Sequence, residues 1–191
     1  MVVGLLSYGS SHVSAPLDTW WHDLMVGSRT DAGVVAAWIP AVIGGPIAML
    51  VIGLVLVGAF LYVRWPAVAL TVAAAMVACV AVAAPLAAVV ARTRPADSLA
   101  EAVPTSFPSG HTAMAASVVV VLALVFRRAV FWLAGIAWIL VMAWSRTYLG
   151  AHWLTDVIAG ALLGIAIGIV VWYVVDSVRI RRARSDAVVS G

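Results

Sequence analysis

The sequence predicts an all-α membrane protein, a polytopic helix bundle with five clear spans. Of its 191 residues, 65% are hydrophobic and 10% are charged, whereas a soluble domain is roughly 45–50% apolar and about 25% charged. The apolar residues also form runs that suit a bilayer of about 30 Å, which needs about 20 helical residues. We therefore expect a membrane domain at 34–176, between an N-terminal interfacial segment at 1–33 and a basic cytoplasmic tail at 177–191.

The interfacial segment and the spans follow in order along the chain. Trp20 and Trp21 suit the headgroup level of a bilayer, where tryptophan is enriched. The spans are expected at 34–63, 67–91, 112–126, 130–144 and 155–175. Gly44-Gly45-Pro46 should break the first span, because glycine and proline interrupt a helix. The third run reaches across a bilayer only if its helix begins at Ser109 or Gly110.

Small residues and the single cysteine both indicate close packing. Gly160, Gly164 and Gly168 recur every four residues in the last span, a spacing that lets helices approach closely. The face they form suits packing within the bundle or dimerisation, and we favour the former. Cys79 is the only cysteine, so no intramolecular disulfide forms, and its apolar surroundings are typical of a small buried hydrophobe.

The arginines predict the orientation of the bundle. Five spans place seven arginines on one side, namely Arg64, Arg127, Arg128, Arg179, Arg181, Arg182 and Arg184, and four on the other. By the positive-inside rule the first group is cytoplasmic, as expected for a multi-pass protein of the plasma membrane. The loops at 92–111 and 145–156 then share the extracytoplasmic side. The net charge of +3 is too small and scattered to indicate nucleic acid.

Polar residues gather in those two outer loops. In the first loop, Pro108 precedes a helix with Ser109 at its N-cap, and the free N–H groups beside Ser109, Gly110 and His111 make a ready anion site. In the second, a helix beginning near His152 would place Asp156 on the same face, where its carboxylate accepts the imidazole N–H. Ionisable residues at membrane depth are rare and usually functional.

Together these residues predict in-line phosphoryl transfer. His152 attacks phosphorus and forms a phosphohistidine, while His111 protonates the departing oxygen and later activates water. The expected phosphate ligands are Arg94, Arg146, Ser109 and the Gly110 N–H. The scheme needs no metal or other cofactor. Two histidines and an aspartate also suit a metal, but the adjacent arginines repel cations and attract anions.

The same residues resemble a known family. Pro108-Ser109-Gly110-His111, and Ser145-Arg146 with His152 and Asp156, match the second and third motifs of the type 2 phosphatidic acid phosphatase superfamily, which includes membrane lipid phosphatases and vanadate haloperoxidases. Arg94-Pro95 is similar to the end of its first motif. The resemblance covers 84–163 and implies metal-independent hydrolysis of a phosphomonoester or pyrophosphate through phosphohistidine, at the extracytoplasmic face in bacterial lipid phosphatases.

Two features depart from the family pattern. Ala87 stands where the first motif has a lysine, and Arg92 is a candidate replacement as a phosphate ligand. The family also typically has six spans, three of them before the first motif, whereas only two are clear here. Either the first span is absent from this chain or residues 1–25 are its remnant.

The leading hypothesis is therefore a membrane lipid phosphatase. Its substrate would be a lipid phosphate or polyprenyl pyrophosphate whose chain stays in the bilayer. A vanadate-dependent haloperoxidase is a second hypothesis, which five apolar spans disfavour. A third is a catalytically weak or inactive phospholipid-binding protein of the same fold, favoured by Ala87. A transporter is disfavoured, because there is no internal repeat and the ionisable residues cluster at one face.

Overall fold

The computed structural model describes residues 15–100 and 103–189 of the chain. Within these residues it contains seven helices: α1 (Pro16–Gly27), α2 (Asp31–Ile43), α3 (Pro46–Tyr62), α4 (Pro66–Val90), α5 (Gly110–Phe126), α6 (Ala129–Tyr148) and α7 (Leu154–Val189). The all-α prediction is confirmed for this part of the chain. Residues 1–14, which include most of the predicted remnant of a first span, lie outside the described residues.

The helices differ in their capacity to cross a membrane. Helices α4, α6 and the part of α7 at Leu154–Arg182 are long and apolar enough to cross alone. Helices α2 and α3 are long and apolar enough to cross only as a pair, and the two are bent by 48° relative to each other. Helix α5 is also apolar but shorter, with 17 residues. The described helices therefore supply three spans, or four with the bent pair, and the count of five stays a prediction.

Local sequence explains where most helices begin and end. Pro16, Pro46 and Pro66 each occupy the first helical turn, where the fixed φ of proline suits a helix and its missing N–H costs nothing. The predicted break at Gly44-Gly45-Pro46 is confirmed as the bend between α2 and α3. Helix α5 begins at Gly110, as predicted, with Ser109 as its N-cap.

Helix α5 lies at the centre of the bundle, in contact with α4, α6 and α7. Its contact with α7 depends on glycine. A Cβ at Gly160 would lie 2.5 Å from the Ser109 carbonyl oxygen, and one at Gly168 would lie 3.0 Å from that of Ser117. A Cβ at Gly164 would lie closer still to the Ala113 carbonyl oxygen. The small residues therefore pack within the bundle, as we predicted, and hold the start of α7 against the start of α5.

The two ends of the bundle have different chemistry. At one end Phe60, Trp65, Phe126 and Phe131 form an aromatic cluster beside the turns that carry Arg64, Arg127 and Arg128. At the other end, α1 packs against α6 and α7 and lies with the loops at 91–109 and 149–153. All the residues predicted to bind or react with phosphate lie at this second end.

One predicted boundary was wrong. The fourth span was expected to end at Trp144, but α6 continues to Tyr148, so that Ser145 and Arg146 belong to its last turn. The backbone hydrogen bonds of α6 do not stop where the apolar composition changes. Helix α7 begins at Leu154, one residue before the expected start of the fifth span and two residues after His152. Helix α7 also runs unbroken past residue 176, and the division between domain and tail there stays a prediction.

Candidate active site

The loop between α4 and α5 folds back on itself. Thr93 and Thr105 form an antiparallel bridge, the Ser106 N–H donates to the Arg92 carbonyl at 2.8 Å, and the Arg94 N–H donates to the Pro104 carbonyl at 3.2 Å. These bonds place Arg92 and Arg94 beside the approach to α5. They also fix the direction of the Ser106 carbonyl.

A tight turn between α6 and α7 brings the second motif to the same place. The Arg146 carbonyl accepts hydrogen bonds from the N–H groups of Ala151 at 3.0 Å and His152 at 3.2 Å. Gly150 in this turn has a φ of 65°, which favours glycine. The turn therefore links Arg146 directly to His152, six residues later.

His152 lies where the two loops meet and is 4% exposed. Its Nδ1 is 2.6 Å from the Ser106 carbonyl oxygen. Because a carbonyl only accepts, Nδ1 carries the proton and Nε2 keeps its lone pair. That Nε2 lies 3.4 Å from a terminal nitrogen of Arg94. The imidazole is thus held in the tautomer that a nucleophile needs, with its reactive nitrogen beside a cation.

The expected hydrogen bond from His152 to Asp156 is absent, so this prediction was wrong. The nearest Asp156 oxygen is 3.9 Å from Nδ1, because His152 precedes α7 instead of starting it. Asp156 is fully buried, and its carboxylate accepts from the Trp153 N–H at 2.9 Å and from Arg92 at 2.7 Å. Its backbone carbonyl accepts from the Ser109 N–H at 3.1 Å. Asp156 therefore connects the two motifs and acts on His152 through the adjacent backbone.

Arg94 and Arg146 both precede His152 in the chain, and both affect it electrostatically. The Arg94 guanidinium donates to the carbonyls of Val103 at 2.8 Å and Thr105 at 2.5 Å, and also to that of Ala151. Arg146 is 1% exposed although it ends a helix. Arg146 is buried and Arg94 is half-buried, and two guanidinium groups next to one histidine favour an anion at this position.

Ser109, Gly110 and His111 form the start of α5. The Ser109 hydroxyl lies 3.0 Å from the Thr112 hydroxyl and accepts from the Thr112 N–H at 3.5 Å, so it caps the helix as predicted. Ser109 is buried, Gly110 is exposed and His111 is half-buried. The first N–H groups of a helix have no partner within it, and the exposure of Gly110 places the start of α5 at the accessible edge of the site.

Arg92 does not occupy the position that we predicted for it. Its guanidinium donates to Asp18 at 2.6 Å, to Thr155 at 2.7 Å and to Asp156 at 2.7 Å, and it lies 5.6 Å from the centre of the Trp153 ring. With two carboxylates bound to it, Arg92 is oriented towards the protein. These contacts argue against Arg92 as a phosphate ligand that replaces the lysine missing at position 87.

The sequence alone did not indicate two members of this site. The Ser106 carbonyl is a backbone group, so its role does not depend on the identity of the side chain and cannot be recognised from the sequence. Asp18 on α1 is fully buried and accepts from Thr155 as well as Arg92. No sequence pattern marks Asp18, because it is buried on a helix whose neighbouring apolar residues Leu17, Trp20 and Leu24 are exposed.

The surroundings of His152 hold it neutral. Burial lowers its pKa well below the ordinary value of 6.5, the charges of Arg146 and Arg94 lower it further, and the hydrogen bond to Ser106 offsets only part of this effect. Because the shift is downward, His152 keeps its lone pair at pH values where an ordinary imidazole takes up a proton.

We expect this shift to be visible by NMR. In protein labelled at histidine carbons, the His152 ring signals should not move between about pH 8 and pH 6, where a free imidazole becomes mostly protonated. The signals are assigned with a His152→Gln variant, and the denatured chain provides the reference titration. A His152 that titrates together with the denatured reference would contradict the proposed environment.

Comparison with known proteins agrees with this architecture. An undecaprenyl-diphosphatase from Sulfolobus acidocaldarius is 42% identical over 59 residues, which are 31% of this chain and 28% of that protein. This chain therefore matches less than a third of that relative's length. Two solved structures are similar in fold. A transmembrane PAP2-type phosphatidylglycerolphosphate phosphatase from Bacillus subtilis has a TM-score of 0.74 at 24% identity, covering 88% of this chain and 89% of its own.

The second structure is LpxE from Aquifex aeolicus, with a TM-score of 0.66 at 22% identity, covering 83% of this chain and 96% of its own. At these identities the likeness establishes a common fold. The family itself is established by sequence, since residues 66–180 match the PAP2 superfamily, from the start of α4 through most of α7. That region contains every residue predicted to bind or react with phosphate, and the chain belongs to the PAP2 superfamily, whose phosphatases hydrolyse phosphate esters.

Proposed function

We propose that this protein is a metal-independent lipid phosphatase that acts at the extracytoplasmic face through a phosphohistidine on His152. The observation that carries the proposal is the state of that imidazole. Its Nδ1 is committed to the Ser106 carbonyl at 2.6 Å, and its Nε2 lies beside Arg94 at 3.4 Å. A neutral, oriented nitrogen next to an anion-attracting guanidinium is what attack on a phosphate requires.

In the first step, Nε2 of His152 forms a bond to phosphorus as the bond to the leaving oxygen breaks. His111, at the accessible edge of the site, gives its proton to that oxygen. Negative charge on the equatorial phosphate oxygens is stabilised by Arg94, Arg146 and the N–H groups at the start of α5. The developing positive charge on the imidazole is stabilised by the Ser106 carbonyl and by Asp156 at 3.9 Å.

In the second step, His111, now neutral, takes a proton from water. The hydroxide equivalent attacks phosphorus, the bond to Nε2 breaks, and inorganic phosphate leaves. His111 is again protonated and His152 neutral, so the site returns to its first state. Asp156 keeps a positioning role throughout, because it receives the Trp153 N–H and binds the Ser109 N–H.

The proposed substrate is an amphiphile with a terminal phosphate or pyrophosphate. The site lies at one end of apolar helices, so a lipid chain can stay in the bilayer while its headgroup reaches the basic pocket. The related proteins include an undecaprenyl-diphosphatase and a phosphatidylglycerolphosphate phosphatase, which supports both classes of headgroup. The arginine distribution supports an extracytoplasmic site, since seven of the eleven arginines belong to the opposite end and the tail.

Phosphate release from a panel of substrates tests the proposal. Purified protein in detergent, with EDTA present, is given polyprenyl pyrophosphate, phosphatidylglycerophosphate and phosphatidic acid, and a His152→Ala preparation measures contaminating phosphatases. We expect release above this blank from at least one lipid, unchanged by EDTA. Release that EDTA abolishes would contradict the metal-independent mechanism.

The binding hypothesis remains the second candidate because of one observation. Ala87 supplies no cation, and the guanidinium of Arg92 is taken up by Asp18 and Asp156. The site therefore has one phosphate ligand fewer than the family motif implies. If folded protein releases no phosphate from any lipid but binds lipid phosphate, the binding function is the correct one, and Ala87→Lys is the first variant in which to look for activity.

A further inference from the structure

A fully buried carboxylate that the mechanism above does not use lies next to the active site. Asp18, on α1, is 0% exposed. One of its oxygens accepts from Arg92 at 2.6 Å and from the Thr155 hydroxyl at 2.8 Å, and the other accepts from the Thr155 N–H at 2.8 Å. Every oxygen of this carboxylate is therefore bound to the loop before α5 or to the first turn of α7.

Arg92 joins this carboxylate to the catalytic region. One terminal nitrogen binds Asp18, and the other binds Asp156 and Thr155, both at 2.7 Å. The guanidinium fork is suited to this arrangement, because its nitrogens point in fixed directions in one plane. Asp18, Arg92 and Asp156 thus form a buried carboxylate–guanidinium–carboxylate bridge, which we call the α1 bridge.

The α1 bridge ends on the residues that position both motifs. Asp156 binds the Trp153 N–H, directly after His152, and the Ser109 N–H at the start of α5. Asp18 also receives the N–H of Thr155, one residue before Asp156. A shift of the first turn of α7 would therefore move His152 relative to the phosphate ligands of α5, and small errors of position are costly in catalysis.

Burial makes the bridge sensitive to loss of one partner. Burial raises the pKa of Asp18, but the hydrogen bonds from Arg92 and Thr155 outweigh this effect, and the net pKa is below the ordinary value. Asp18 is accordingly ionised. Asparagine keeps one acceptor oxygen but places an NH2 group where the other was, so that either Arg92 or the Thr155 N–H would face a donor and lose its hydrogen bond.

We propose that Asp18 is a positioning residue for phosphoryl transfer: through Arg92 and Thr155 it fixes the first turn of α7, and with it the placement of Asp156 and His152. The proposal deepens the proposed function and rests on it. Helix α1 is then part of the catalytic apparatus, although it lies outside the region at 66–180 that matches the family.

Single-turnover kinetics test this role. With active enzyme saturating and in excess over labelled substrate, the rate constant of phosphate transfer does not depend on the fraction of folded enzyme. We expect Asp18→Asn to lower the rate constant roughly 10- to 100-fold, and to weaken inhibition by vanadate, which resembles the transition state, by a similar factor. Asp176→Asn, which breaks the pair with Arg179 in a distant part of α7, is the matched control and should keep the wild-type rate constant.

A double-mutant cycle tests the route through Arg92. Arg92→Lys keeps the charge but loses the fork, and it should lower the rate constant by itself. Asp18→Asn added to it should cause little further loss, because both changes break the same bridge. A wild-type rate constant in Asp18→Asn, or losses that multiply in the double variant, would overturn the proposal.

Hydrogen exchange gives a test that does not need activity. In Asp18→Asn, the amides of 153–157 should exchange faster, while those in the middle of α5 stay as in the wild type. Failure of the proposed function would appear as wild-type protein without phosphate transfer. Failure of the positioning role would appear as unchanged exchange at 153–157, whether or not the protein is active.

Discussion

Replacing His152 with alanine is expected to remove phosphate release almost completely. The imidazole is the group that bonds to phosphorus, and loss of a nucleophile that acts as one unit with its partners costs about a thousandfold in kcat or more. The variant leaves a small cavity at a turn, so its fold should persist. The measurement is the initial rate of phosphate release from the best lipid of the panel, with thermal unfolding recorded for the same preparation.

His22→Ala is the matched control for this variant. His22 lies at the same end of the bundle, with its Nε2 2.9 Å from Asp97 and its ring 5.3 Å from that of Trp153, but it takes no part in the proposed chemistry. It should keep activity within about threefold of the wild type. Near-wild-type activity in both His152→Ala and His22→Ala would exclude His152 as the nucleophile.

The second large effect is expected for Arg146→Lys. Lysine keeps a positive charge but loses the planar fork that binds two phosphate oxygens at once. Since this donor is buried beside the proposed transition state, we expect kcat to fall about 100-fold or more. Vanadate, which resembles the transition state, should inhibit the variant less well by a similar factor.

Arg128→Lys makes the same chemical change at an exposed position at the other end of the bundle. It should leave both kcat and vanadate inhibition unchanged. Wild-type kcat in Arg146→Lys would show that Arg146 contributes only charge. Reduced kcat with unchanged vanadate inhibition would instead show that Arg146 supports the fold of the turn rather than the transition state.

Much of the architecture follows from residues whose effect is local. Proline and glycine determine the backbone wherever they occur, so the break at Gly44-Gly45-Pro46 and the start of α5 after Pro108 were predictable. The glycine spacing in α7 was also informative, because only close contact with another backbone explains three glycines at intervals of four residues in one apolar helix.

The errors arose where partners are distant in sequence or belong to the backbone. The hydrogen bond acceptor of His152 is the carbonyl of Ser106, 46 residues away. The spacing of four residues between His152 and Asp156 had instead indicated the carboxylate of Asp156. Arg92 was predicted to be a phosphate ligand because it lies only two residues before Arg94 in the sequence. Its actual partner, Asp18, is 74 residues away and lies in a segment without a recognised motif.

The boundary of α6 was missed for a different reason. The apolar run ends at Trp144, and a span predicted from hydropathy ends there as well. The helix continues to Tyr148 because its last turn is stabilised by specific contacts rather than by lipid. The Ser145 hydroxyl donates to the Ala37 carbonyl at 2.6 Å, and the Tyr148 hydroxyl donates to the Ser28 carbonyl at 2.9 Å. The apolar composition indicates which residues lie in the bilayer, but it does not reveal these contacts, which depend on α1 and α2.

Trapping the covalent intermediate tests the central claim most directly. In His111→Ala, an aryl phosphate whose leaving group needs no proton should still transfer phosphate to His152, but hydrolysis should be slow without the base that activates water. We predict that the variant accumulates an acid-labile phosphoryl group, located by mass spectrometry on His152 and absent when His152→Ala is added. Turnover without a phosphorylated histidine, or a phosphoryl group on another residue, would contradict the account.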